Sequence, residues 1–139
     1  MNYKIEKNTV QETLIIPLYA RKMCSELYPN LYRDEAALWL VGAMRQNDLA
    51  IEVREYLKCH PNAAVVNLGC GLDSTGRACD NGKCKLYNLD FPDVIAVRNE
   101  LLPAREREEN IPCDLNDTSW FERIDASGGA VFFAAGVFY

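Results

Sequence analysis

The stretch "VVNLGCGLDSTG" changes from apolar residues to glycines, and it is the first place where this sequence could bind a ligand. Gly69 and Gly71 have no Cβ atom, so the backbone can adopt positive φ and a ligand can approach closely. Asp73 adds a carboxylate acceptor beside them. Asp90, at the end of "YNLD", follows Gly71 by 19 residues. Because nucleotide-binding βαβ units place an acid about 20 residues after the glycines to bind ribose hydroxyls, these residues predict a nucleoside site.

A third stretch, "CDLND", could complete such a site. Asp114 could accept a hydrogen bond from the amino group of an adenine, and Leu115 could cover the ring. Asp114 and Asp117 could equally cap a helix, because Asp is a common N-cap residue. Each stretch alone is a weak signal, and the prediction depends on three strand ends carrying suitable groups in the right order.

The spacing of the glycines favours one cofactor class over another. The dinucleotide fingerprint GxGxxG needs a third glycine at position 74, where this sequence has Ser74. The charge of Asp73 would repel a pyrophosphate but would suit an amino group or a sulfonium. The residues therefore favour S-adenosylmethionine over NAD, and an NAD-dependent oxidoreductase domain remains the alternative.

Alternating strands and helices must position these residues. Helices are predicted in "TVQETLIIPLYARKMCSELYPN", interrupted at Pro17, and then separately from Asp34 and from Asp48. The later order is strand, loop, strand, helix, strand, helix, strand, which predicts a parallel sheet with helices on its faces. The strands are expected in "AAVVNL", "KLYNLDF", "NIPCDL" and "GGAVFFAAGVFY", and the helices in "PDVIAVRNELLPA" and "TSWFERI". We divide the chain into a helical segment, 1–60, and a cofactor-binding half-domain, 61–139.

Composition narrows the classes of function. The 139 residues suffice for one domain, and a net charge of −5 argues against nucleic acid as a partner. The basic cluster Arg105 with Arg107 is diluted by Glu106, Glu108 and Glu109, which indicates a solvated helix face. No apolar stretch reaches the roughly 20 residues that a membrane span needs, and the N-terminus shows no signal peptide, so we expect a cytoplasmic protein.

Most of the six scattered cysteines are expected to be free thiols in such a compartment. Cys79 and Cys84 could face each other across the turn between them. A zinc site with Cys59 and His60 is disfavoured, because structural zinc sites usually have short ligand spacings at both ends. We predict no metal site.

The segments "VVNLGCGLD", "LYNLDFPDVIAVRNELL" and "AVFFAAGVFY" resemble the leucine carboxyl methyltransferase family, and in particular its bacterial branch similar to polyketide O-methyltransferases. The upstream "IPLYARK" and "MRQNDLAIEVREYL" also resemble that branch. The resemblance implies an α/β, Rossmann-like class I methyltransferase fold, a three-layer sandwich of which this chain carries the N-terminal half. It also implies S-adenosylmethionine as the methyl donor and a small-molecule carboxylate or hydroxyl as the acceptor.

The resemblance also assigns residues. It implies that Lys22 and Arg45 line the cofactor end, with Arg45 near the methionine carboxylate, whose geometry suits the guanidinium fork. The remaining positions implied are Gly69, Gly71 and Asp73 in the glycine stretch, Asp90 at the ribose, and Asp114 and Leu115 at the adenine. Asn67 departs from the family pattern, which often has an acid there. No catalytic acid or base can be assigned.

Family members are longer than this chain, which ends just after the fourth predicted strand. We therefore expect weak cofactor binding and little turnover by this chain alone. The last strand, uncharged and rich in aromatic and β-branched residues, is expected to self-associate as an edge. A non-enzymatic interaction module with a vestigial pocket is the third interpretation.

Overall fold

The computed structural model describes residues 15–135, except the side chains of residues 15–16 and 42–46. The chain divides into two compact units, Met1–Arg45 and Gln46–Tyr139. In order along the chain, the elements are α1 (Ile15–Leu27), α2 (Glu35–Cys59), β1 (Ala64–Leu68), α3 (Thr75–Ala78), β2 (Lys85–Asp90), α4 (Pro92–Leu101), β3 (Glu108–Pro112), a 3₁₀ helix (Thr118–Arg123) and β4 (Ala130–Phe133). Across the part that is described, none of these helices is both long and apolar enough to cross a membrane.

The N-terminus of α2 has the cap that the sequence predicts. The Asp34 carboxylate accepts the backbone N–H of Ala37 at 2.8 Å. This hydrogen bond lowers the pKa of Asp34, even though partial desolvation acts against it. The N–H of Asp34 itself donates to the hydroxyl of Ser25 in α1 at 2.8 Å, so the connection between the two helices is fixed within the first unit.

The prediction of a separate helix beginning at Asp48 is wrong, because α2 continues through this residue to Cys59. An aspartate inside a helix costs only about 0.7 kcal/mol or less relative to alanine. The segment after it buries Ala50, Val53 and Leu57 against the sheet, because their spacing places them on one helix face. The burial of these side chains stabilises the helix by more than the aspartate costs. The second part of α2 thus packs with the sheet in the second unit. The division predicted from the sequence instead placed residues 1–60 in one helical segment.

The four strands form one parallel sheet in the order β3-β2-β1-β4. In the central pair Asn67 lies opposite Asn88, and at the end of β2 Asp90 lies opposite Pro112. Parallel neighbours with helical connections confirm the predicted α/β, Rossmann-like fold. The third strand begins two residues earlier than the predicted "NIPCDL", and residues 136–139 of the predicted fourth strand lie outside the described residues.

Apolar clusters cover both faces of the sheet. On one face, residues of α2 pack against Val65, Leu86 and Phe133. On the other face, Val66, Leu89 and Ile111 pack with Trp120 of the 3₁₀ helix. Because successive strand residues alternate between faces, Asn67 and Asn88 extend the first face toward the carboxyl ends of the strands.

The interpretation of residues 105–109 as a solvated helix face is wrong. Glu108 begins β3, and its side chain is only 1% exposed because Arg77 binds it at 2.9 Å. Charged residues at strand ends give no periodic signal, so composition alone suggested a surface. The buried ion pair shows that one of these charges belongs to the interior.

All six cysteines are free thiols. Cys79 and Cys84 are both buried and both belong to the apolar cluster that contains α2, without a disulfide between them. Burial raises the pKa of each of these two thiols. They serve the core as small apolar side chains.

Candidate functional site

The glycine loop, residues 69–74, follows β1 at the carboxyl edge of the sheet. Gly69 and Gly71 have φ of 61° and 46°, the left-handed region that favours glycine. A Cβ atom built at Gly71 would meet no atom within 4 Å, so one side of this residue faces open space. The loop begins close to the sheet, since the N–H of Cys70 donates to the carbonyl of Leu89 at 3.0 Å. The backbone at Gly71 therefore has free space on one side, and the approach of a ligand there stays a prediction.

Asp90 joins the ends of three strands. Its Oδ2 accepts the N–H of Gly71 at 2.8 Å, which ties β2 to the loop after β1. Its carbonyl accepts the N–H of Cys113, the residue that follows β3, at 2.9 Å. Its Oδ1 accepts the N–H of Phe91 at 2.8 Å. The structure thus brings Gly71 and Asp90 into contact.

Asp73 is held by the protein. Its Oδ2 accepts the side-chain amide of Asn67 at 2.8 Å, and its Oδ1 accepts the hydroxyl of Thr75 at 2.8 Å. Oδ2 also accepts the backbone N–H of Thr75 at 3.3 Å, which fixes the first turn of α3. The carboxylate therefore anchors the loop to β1, and its proposed contact with a cofactor stays a prediction.

Asp114 and Leu115 follow β3 at the same edge of the sheet. Asp114 is exposed, and its Oδ1 accepts two donors of Asn116, the backbone N–H and the side-chain amide, each at 2.9 Å. Leu115 is half-buried against the cluster that contains Trp120. The helix cap proposed as an alternative belongs to Asp117, which accepts the N–H of Ser119 at 3.0 Å.

The two predicted basic residues lie in the first unit. Lys22 is buried in α1 and forms an ion pair with Glu26 at 2.6 Å, one turn along the same helix. Arg45 belongs to α2, and its side chain lies outside the described residues. Their participation in a cofactor site stays a prediction.

Sequence reasoning missed Arg98, although it contacts the glycine loop directly. This side chain of α4 is 0% exposed, and its Nη1 donates to the carbonyls of Gly71 and Asp73, each at 2.8 Å. One signal was present in the sequence. Arg98 follows the apolar Ile95 by three residues, and residues three apart lie on the same helix face. The structure buries both residues.

A polar network beneath the loop supports Arg98. Its Nε donates to Asn110 of β3 at 3.1 Å, and its Nη2 lies 3.8 Å from Glu108. Asn88 of β2 donates to both Glu108 and Asn110. Two side chains of β3 thus lie against one guanidinium group, and Asn88 of the neighbouring strand links them.

Cys70, the thiol nearest to the site, is unsuited to nucleophilic chemistry. Burial raises its pKa to about 11, and the neighbouring Asp90 acts in the same direction. Since the thiolate is the reactive form, this thiol stays protonated at neutral pH. The arrangement can bind and position a ligand, but Cys70 offers no covalent catalyst.

Comparison with known proteins shows the family to which this chain belongs. The leucine carboxyl methyltransferase family matches residues 53–137, which include all four strands, the glycine loop and Asp90. The chain belongs to the leucine carboxyl methyltransferase family. A similar protein is the tetracenomycin polyketide synthesis O-methyltransferase of Streptomyces glaucescens, which is 31% identical over 83 residues. The matched part covers 59% of this chain and 31% of that relative.

The part matched by the leucine carboxyl methyltransferase family coincides with the geometry described above. It contains the three strand ends that meet at Asp90, and it also contains Arg98 and its polar network. Lys22 and Arg45 precede it. The match therefore concerns the sheet and its loops, where the described contacts are found.

Proposed function

We propose that this chain is the cofactor-binding part of an S-adenosylmethionine-dependent O-methyltransferase that acts on a small-molecule carboxylate or hydroxyl. The observation that carries the proposal is the contact between Asp90 and Gly71 at the meeting point of three strands. Family membership supports the reaction class. The chain covers less than a third of the similar polyketide O-methyltransferase, so the activity belongs to the proposal.

The carboxylate of Asp90 fits the ribose of such a cofactor. A carboxylate has about four lone-pair sites, and two backbone N–H groups occupy one on each oxygen. The remaining sites can accept two hydroxyl hydrogens, and Asp90 is only partly buried. Leu72 and Phe91, the residues next to Gly71 and Asp90, are 51% and 54% exposed and provide apolar surface beside the carboxylate. This surface can cover part of an adenosyl group.

When bound, S-adenosylmethionine supplies an activated methyl group. The residues described here bind and orient it: the glycine loop admits it, and Asp90 fixes the ribose. Alignment of reacting groups alone can contribute about 7–11 kcal/mol to catalysis. A carboxylate acceptor is already ionised at neutral pH and needs no general base, whereas a hydroxyl acceptor needs one.

Calorimetry with two ligands tests the proposal. We expect S-adenosylhomocysteine to bind with measurable heat and NAD to give none, because the loop lacks the third glycine of a dinucleotide site and carries Asp73. Little or no methyl transfer is expected from the chain by itself. Heat with NAD alone would support the oxidoreductase alternative. Binding of neither ligand would support an interaction module without cofactor.

We also propose that the isolated chain self-associates through β4. This strand pairs with β1 on one side, and among the described strands none pairs with its other side. Its Phe132 is 45% exposed, and a free apolar strand edge is a template for pairing with another chain. Light scattering should show a mass that rises with protein concentration. A constant monomer mass at high concentration would contradict this proposal.

A cytoplasmic location is part of the same proposal. The six cysteines include three buried thiols, and no disulfide joins any of the six. Proteins of oxidising compartments commonly convert such thiols to disulfides, whereas reducing compartments keep them free.

A further inference from the structure

We propose that Arg98 is a positioning residue that holds the glycine loop in the conformation that binds the cofactor. The inference rests on the proposed function and adds to it a residue outside the cofactor contacts. One nitrogen, Nη1, donates to the carbonyls of both Gly71 and Asp73. These two hydrogen bonds span the residues that form the bend of the loop.

Gly71 is fixed on both of its peptide groups. Its N–H donates to Asp90, and its carbonyl accepts from Arg98. A glycine in the left-handed region loses much conformational freedom when it is ordered. Because the protein supplies this order before a ligand arrives, the ligand does not bear the full entropic cost, which favours binding.

The burial of Arg98 is poorly explained by stability alone. The side chain is fully buried, and its Nη2 has no hydrogen-bond partner within the described part of the chain. Its distance of 3.8 Å from Glu108 gives an ion pair without a hydrogen bond. Buried ion pairs often contribute little more to stability than apolar residues of similar size. The guanidinium group does donate hydrogen bonds to the two loop carbonyls. An apolar side chain at this position would leave both carbonyls without a partner.

Two matched variants test the role. Arg98→Lys keeps the positive charge near Glu108 but lacks the planar fork that reaches two carbonyls and Asn110 together. Arg77→Lys makes the same exchange at the second arginine that binds Glu108. The other partners of Arg77 are the carbonyls of Leu102 and Pro103, which lie outside the glycine loop. Affinity for S-adenosylhomocysteine is measured by calorimetry well below the unfolding temperature of each variant. Amide hydrogen exchange of residues 69–73 is measured without ligand.

The expected result is about tenfold or more weaker binding for Arg98→Lys, since at least one charge-assisted hydrogen bond is lost. Its loop amides should exchange faster, while Arg77→Lys should bind as the wild type does, even where its unfolding temperature falls. Equal affinity and equal loop exchange for Arg98→Lys and wild type would overturn the inference. An equal loss of affinity in both variants would overturn it as well.

Hydrogen exchange without ligand distinguishes a failure of this inference from a failure of the proposed function. If wild-type protein binds no S-adenosylhomocysteine, the proposed function fails, and loop exchange without ligand still decides whether Arg98 orders the loop. Should Arg98→Lys not fold, NMR of the wild type decides the same point. The Nη1 hydrogens of Arg98 are then expected to exchange slowly with solvent and to show contacts with residues 71 and 73, and rapid exchange would overturn the inference.

Discussion

Asp90→Asn should weaken the binding of S-adenosylhomocysteine about 100-fold, the largest loss that we expect from one substitution of nearly equal size. The amide oxygen can still accept the N–H of Gly71, which the carboxylate accepts at 2.8 Å, so the loop keeps this anchor. The NH2 group takes the place of the oxygen that accepts the N–H of Phe91. It cannot offer a charged acceptor to two ribose hydroxyls. Hydrogen bonds to charged groups contribute about 1.5–3 kcal/mol each, and about 1.4 kcal/mol corresponds to a factor of ten.

Asp93→Asn is the matched control for this experiment. Asp93 is exposed in the first turn of α4, three residues along the chain, and its substitution removes the same charge from the same region. It should change affinity less than twofold. Calorimetry on both variants, with unfolding temperatures measured in parallel, separates a ribose contact from general electrostatics. An unchanged affinity of Asp90→Asn, or an equal loss in Asp93→Asn, would remove Asp90 from the site.

Gly71→Ala should also abolish most of the affinity, for a steric reason. At φ of 46° an alanine is strained, and its Cβ would project into the open space that we assign to the ligand. The strain should cost about 1 kcal/mol of folding free energy. The intrusion into the ligand space should lower affinity about tenfold or more.

Gly82→Ala provides the control, because Gly82 has φ of 81° and also meets no atom within 4 Å of a built Cβ. It lies in the turn before β2, near the opposite edge of the sheet. Thermal unfolding should show a similar small destabilisation in both variants, while calorimetry should show lost affinity only for Gly71→Ala. If both variants bind like wild type, the space at Gly71 is not where the ligand lies.

The sequence predicts the parts of this fold that follow simple periodicity. β1 and β2 are short apolar runs, and α4 begins with Pro92 in its first turn. The predicted bounds of β1 and β2 and the predicted start of α4 therefore agree with the observed ones to within about one or two residues. The sequence also indicates that Gly71 and Asp90 lie at the same edge of the sheet, since parallel strands end there, but it does not reveal the hydrogen bond between them.

Other features depend on tertiary packing, which the sequence does not display. Asp48 looks like a helix cap, but burial of Val53 and Leu57 outweighs the small cost of an interior aspartate. Glu108 looks like one of several surface charges, and only the approach of Arg77 and Arg98 shows that it is buried. Asp73 looks like a ligand acceptor, and only the structure shows its bonds to Asn67 and Thr75.

An NMR titration of the wild-type chain with S-adenosylhomocysteine shows whether the ends of β1, β2 and β3 together bind one adenosyl group. We expect saturable shifts that are largest at the amides of residues 69–72, 90–91 and 114–115, with small shifts at Lys85 and Arg107 at the opposite edge of the sheet. Saturable binding whose largest shifts lie at that opposite edge, or at only one of the three strand ends, would contradict this expectation.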